Sequence, residues 1–178
     1  MPSATGMRPL PDPMPDYFFD TVCLSNFALV KHLDILVTRY GNRTKVTQQV
    51  SDELVDGVVA GYSGLLDIET AIQKGKFGKV VSLTEVEKNH YRSLIRTLGS
   101  GEASCVACSI VRAGIVATDD RNARQACLNE HVRFTGTIGI LKACVLDNTF
   151  LLADADEILQ RMIREGYHSP VTSIGGLV

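Results

Sequence analysis

Short apolar runs alternate with helix-length amphipathic segments along most of this chain. The runs are Tyr17-Phe18-Phe19-Asp20-Thr21-Val22, a short edge strand at Val46, Lys79-Val80-Val81-Ser82-Leu83, Gly114-Ile115-Val116-Ala117 and Val132-Arg133-Phe134. Between them the apolar positions recur at helical spacing. Phe27, Leu29, Val30 and Leu33 follow a helix start at Ser25-Asn26, and a second helix over 33–40 stops at Gly41-Asn42. Val50, Leu54, Val58 and Val59 repeat from Thr47 onward, and another helix covers about 65–73. Thr84-Glu85-Val86-Glu87 has the spacing of a capping box, heading a helix that buries Val86, Tyr91, Leu94, Ile95 and Leu98. Helices are also expected over about 101–112, around Ala123, Ala126 and Cys127, from Ile138 to Val145, and over 155–165. Such alternation predicts an α/β protein whose strands form a mainly parallel sheet.

The rim of that sheet matters most, because ligands of parallel α/β sheets bind where strands end at their carboxyl side. Asp119 and Asp120 follow one strand, and Asp20 sits at the end of another, between Phe19 and Val22. An unpaired buried carboxylate costs several kcal/mol, so Asp20 is expected to face a cation or a set of strong donors. Its plain structural reading is a cap for the next helix. Glu102 opens the helix leading into the Asp119 strand, where it also complements the helix dipole. Glu53 lies at the edge of an apolar stripe and can reach the same rim, with Glu69 its competitor. Clustered carboxylates repel one another unless they share a hard cation, Mg²⁺ or Mn²⁺. A metal pair held this way supports in-line hydrolysis of a phosphodiester.

Several motifs carry a family likeness. Phe18-Phe19-Asp20-Thr21-x-x-Leu24-Ser25-Asn26-Phe27 resembles the opening motif of PIN-domain nucleases, and Val50-x-x-Glu53-Leu54 is similar to their second acidic motif. Gly101-Glu102-Ala103, Thr118-Asp119-Asp120-Arg121-x-Ala123-Arg124 and Thr135-Gly136-Thr137-Ile138-Gly139 resemble a subgroup of small stand-alone prokaryotic PIN proteins. The resemblance implies a Rossmann-like three-layer α/β/α sandwich that cleaves single-stranded RNA with a metal ion. Asp20, Glu53, Glu102 and Asp119 would then be the catalytic acids, with Asp120 an outer or alternate ligand of the metal. The resemblance also implies a toxin neutralised by an antitoxin peptide, and a homo-oligomer. Val22 departs from the pattern, since the family often places Asn or Ser there to steady the metal site. Thr21, Ser25 and Thr118 are candidates for the missing hydrogen bond. Arg121 and Arg124, in the first turn after Asp119, are expected to meet phosphate, as is the backbone around Thr137. Solvated surface arginine is the plain alternative.

Composition narrows the rest. The 178 residues fit one domain over 17–166, with a proline-rich arm at 1–16 holding five of the six prolines and an irregular tail at 167–178. A net charge of −2 provides no global basic field, so nucleic acid must be met by a local patch or by metal ions. Five cysteines set within apolar patterns point to reduced thiols and a cytoplasmic protein. No membrane span and no secretory signal are expected. Cys105-x-x-Cys108 lacks a second ligand pair for zinc, and no phosphate-cradling glycine motif is present. Two rival functions remain: a non-catalytic RNA-binding or assembly module of the same fold, and a phosphoryl-accepting receiver domain. The receiver fits poorly, because its acidic pair belongs at the first strand and here it comes late.

Overall fold

A computed structural model describes residues 14–178. The expected arm over 1–16 therefore falls mostly outside the described residues. Four strands, β1 (Tyr17–Phe19), β2 (Thr44–Lys45), β3 (Ile115–Ala117) and β4 (Arg133–Thr135), form one sheet in the order β2-β1-β3-β4, with every pairing parallel. β1 and β3 are the central pair, with Phe18 opposite Val116 and Phe19 opposite Ala117, and all four side chains are fully buried. Aromatic and β-branched residues suit this two-sided burial.

The helices among the described residues are α1 (Thr21–Leu29), α2 (Leu33–Tyr40), α3 (Gln48–Val59), α4 (Leu66–Gln73), α5 (Glu85–Leu94), α6 (Ser100–Arg112), α7 (Arg121–Asn129), α8 (Thr137–Leu146) and α9 (Leu152–Arg164). α6 rests on β1 and β3 and is flanked by α3 and α5, while α1 and α8 both meet α9. The result is the expected α/β/α architecture around a parallel sheet. No single helix among the described residues is long and apolar enough to cross a membrane.

Several local expectations need correction. β1 stops at Phe19 and α1 begins at Thr21, four residues before Ser25, because the Asp20 carboxylate accepts a hydrogen bond from the Cys23 N–H at 2.7 Å and caps the helix. The edge strand is Thr44–Lys45, ending just short of Val46. Lys79–Leu83 is not a strand. It makes one isolated bridge, Val81 to Thr47, because Thr47 already caps α3 and leaves nothing further to pair with. α5 has its capping box but ends at Leu94, with Val86 and Ile95 exposed and Glu87 buried in their stead. Arg112 of α6 makes that burial tolerable by donating to both Glu87 oxygens, from Nε at 2.5 Å and Nη2 at 2.9 Å. α9 starts at Leu152, three residues early, and its basic last turn (Arg161, Arg164) complements its dipole. α6 has no exposed face in its middle: Ala103 through Ser109 are all buried, Cys105 and Cys108 included. The tail beyond α9 is irregular yet docked, with Ile174 fully buried and its N–H donated to Asp156.

Candidate active site

Because β1 and β3 are parallel neighbours, their carboxyl ends lie side by side, and the Asp20 N–H continues the ladder to Ala117 O at 3.0 Å. Asp20 is 1% exposed. Its Oδ1 receives the Cys23 N–H, whereas Oδ2 is buried with no hydrogen-bond partner among the described residues. Burial pushes its carboxyl up from 3.8 to about 7; the charges of Asp119 and Glu102 add to the rise, and the Thr118 hydroxyl and Cys23 N–H oppose it. The expected donor set is thus only partly present: Oδ1 is bonded, the Thr118 hydroxyl lies near the carboxyl, and Oδ2 has no partner within hydrogen-bond geometry.

Asp119 has the opposite character. Oδ1 accepts from Arg124 Nη2 at 2.9 Å, Thr137 N at 3.1 Å and Tyr167 Oη at 3.4 Å, and Oδ2 from Asn26 Nδ2 at 3.1 Å and Thr137 Oγ1 at 2.5 Å. Gly136 allows this crowding. A Cβ there would meet Asp119 Oδ1 at 2.5 Å and Thr118 O at 2.8 Å.

Glu53 reaches the rim from α3. It accepts from the Thr21 hydroxyl at 2.5 Å and from the Gly101 N–H at the start of α6 at 2.7 Å. Gly101 is needed for that approach, since a Cβ would meet Glu53 Oε2 at 2.5 Å. Glu69 stays on α4, where it bonds only to Gln73 one turn on. Glu102 lies half-buried in the first turn of α6; burial raises its carboxyl pKa, and the charges of Glu53 and Asp120 add to the rise. Asp120 caps α7 by accepting the Ala123 N–H at 2.7 Å. The structure therefore gathers Asp20, Glu53, Glu102, Asp119 and Asp120 at one rim and leaves Glu69 out.

The residues expected to meet substrate are placed differently from one another. Arg121 is exposed on the first turn of α7. Arg124 is turned inward, donating to Thr118 O and Asp119. Thr137 is fully buried, and both its N–H and its hydroxyl go to Asp119, so it holds a carboxylate rather than facing a phosphate. Val22 is 48% exposed and takes no part. Asn26 and Tyr167 were absent from the expected site. Asn26 was legible: Cys23, Asn26, Phe27 and Val30 share one helical stripe, and a lone amide on it must find a partner. Tyr167 follows the last helix, and no local pattern points to it.

Among the described residues, no three His, Cys, Asp or Glu side chains stand ready to hold one ion. The expected ready-made cage is thus corrected: Glu53 and Asp119 are engaged by protein donors, and completing a ligand shell requires side chains to turn. The donor chemistry still fits a hard divalent cation, because the bare Oδ2 of Asp20 sits within electrostatic reach of Asp119 and Glu102. A family profile described as a PIN domain matches residues 16–175. The chain belongs to the PIN-domain family. No curated protein matches it. PIN domains are a nuclease-type fold and typically use divalent metals. The acidic rim of this PIN domain stands at the carboxyl ends of its two central strands.

Proposed function

We propose that this PIN domain is a metal-dependent endoribonuclease that hydrolyses phosphodiester bonds in single-stranded RNA. One observation carries the reading: a buried aspartate, Asp20, uses one oxygen to cap α1 and keeps the other without a hydrogen-bond partner beside two further carboxylates, an arrangement that costs stability and that capping alone does not require. A divalent ion, Mg²⁺ or Mn²⁺, would supply an activated water and neutralise charge on the phosphate. Asp20, Glu102 and Asp119 would hold it, with Asp120 in reserve. Glu53 ties Thr21, next to Asp20, to the start of α6 and so sets the spacing between Asp20 and Glu102. Arg121 is free to meet the RNA backbone, and the inward Arg124 neutralises Asp119 in the metal-free protein. The family resemblance further supports a homo-oligomeric toxin restrained by an antitoxin peptide, and the free cysteines support a cytoplasmic one.

A non-catalytic RNA-binding or assembly module is the second reading, and the lack of a ready ligand cage among the described residues favours it. A labelled single-stranded RNA separates the two. Cleavage is expected with Mg²⁺ or Mn²⁺, and loss of cleavage with EDTA or in Asp20→Asn. Wild-type protein that binds RNA yet cuts with neither metal would establish the module instead.

A further inference from the structure

Asp119 accepts bonds from more donors than any other rim acid, and three of its partners come from segments remote from it in the chain. Asn26 lies on α1, Thr137 opens α8 and Tyr167 follows α9. Asn26 Nδ2 donates to Asp119 Oδ2 at 3.1 Å and to Thr137 Oγ1 at 3.0 Å, while Thr137 Oγ1 itself donates to Oδ2, closing a triangle. On the other oxygen, Tyr167 Oη and Arg124 Nη2 converge at 3.4 and 2.9 Å. Donors on both oxygens determine the plane of the carboxylate as well as its position.

Stability alone does not account for this arrangement. Asn26 is 7% exposed in the body of a helix and caps nothing, so an apolar side chain would serve the core at least as well. Val22, which is 48% exposed, takes no part, and Asn26 lies one helical turn further along the same helix. Its amide reaches the rim that Val22 does not.

We propose that Asn26 and Tyr167 are positioning residues of this site, which orient Asp119 for metal binding, and that the segment after α9 is thereby part of it. The proposal rests on the metal-dependent nuclease reading. Partners that orient a metal ligand commonly change affinity or activity about 10–100-fold when removed.

The test uses the full chain with Asn26→Leu and Tyr167→Phe, titrated with Mn²⁺ by electron paramagnetic resonance and assayed on single-stranded RNA. Asn26→Leu is expected to weaken Mn²⁺ binding about tenfold or more. Tyr167→Phe removes a longer bond and is expected to weaken it by a smaller factor. Both should lower kcat and leave KM for RNA unchanged, with the thermal midpoint of the metal-free protein at or above the wild-type value. A merely structural role predicts the reverse: a lower midpoint and unchanged Mn²⁺ affinity. If Asn26→Leu fails to fold, Tyr167→Phe decides alone, since it removes only a hydroxyl. Wild-type binding of Mn²⁺ with equal binding by the variants overturns this proposal and leaves the nuclease reading standing. Wild-type protein that neither binds Mn²⁺ nor cuts RNA overturns both.

Discussion

Replacing Asp20 by asparagine is expected to stabilise the metal-free protein at neutral and alkaline pH while abolishing cleavage. Burial, reinforced by Asp119 and Glu102, lifts its carboxyl from 3.8 to about 7. The unfolded chain loses that proton near the ordinary value, so between the two values the folded state binds a proton that the unfolded state lacks. Stability must therefore fall as pH rises through this window, and level off above it, where both states are ionised. At roughly 1.4 kcal/mol per pH unit, the full penalty is about 4 kcal/mol, an upper bound that relaxation around the charge reduces. Asparagine keeps an oxygen for the Cys23 N–H, so the cap survives and only the charge goes. Urea unfolding in EDTA at about pH 4 and about pH 8.5 reads the effect. The wild type should lose several kcal/mol relative to the variant between the two conditions. Mn²⁺ at a hundred times its dissociation constant should return about 2.7 kcal/mol to the wild type and nothing to Asp20→Asn. Parallel pH profiles for the two proteins in EDTA would refute the reasoning, because Asp20 would then carry no buried, unrelieved charge.

Other substitutions probe the surroundings. Gly136→Ala should displace the Asp119 carboxylate or Arg124, costing about 1–3 kcal/mol by urea unfolding and most of the cleavage rate. Glu53→Ala removes the acceptor of both the Thr21 hydroxyl and the Gly101 N–H, and is expected to lower stability by about 1–3 kcal/mol in urea unfolding along with cleavage. Arg112→Ala strands a fully buried Glu87 and should cost about 3 kcal/mol near neutral pH without touching the acidic rim. Because Arg112 holds the Glu87 pKa below 4.5, that difference should shrink as pH falls below 4.5 through the lowered value; a pH series of urea midpoints checks it.

Much of the scaffold was legible locally. α2 runs from Leu33 to Tyr40 as its pattern predicts, and the Thr84–Glu87 box caps α5. Asp20 and Asp119 are legible as strand-end acids because an apolar run closing on a carboxylate is visible within a few residues. Caps, periodicity and turn signals are short-range effects, so a window of sequence contains their causes. The failures came where remote packing overrides the window. Val86 looked apolar enough to be buried, but the α5–α6 contact buries Glu87, because Arg112 on α6 supplies the partner. Lys79–Leu83 has strand composition and no strand beside it beyond one residue.

The same division runs through the candidate site. The sequence by itself determined which acids exist and which strand and helix ends carry them. Tertiary structure decided that β1 and β3 are adjacent, that Glu53 and not Glu69 comes to the rim, and that Asn26, Thr137 and Tyr167 converge on Asp119. Those meetings join segments far apart in the chain. The energy that brings them together is the burial of the sheet and helices around them, a property of the whole packed core that no stretch of sequence contains alone.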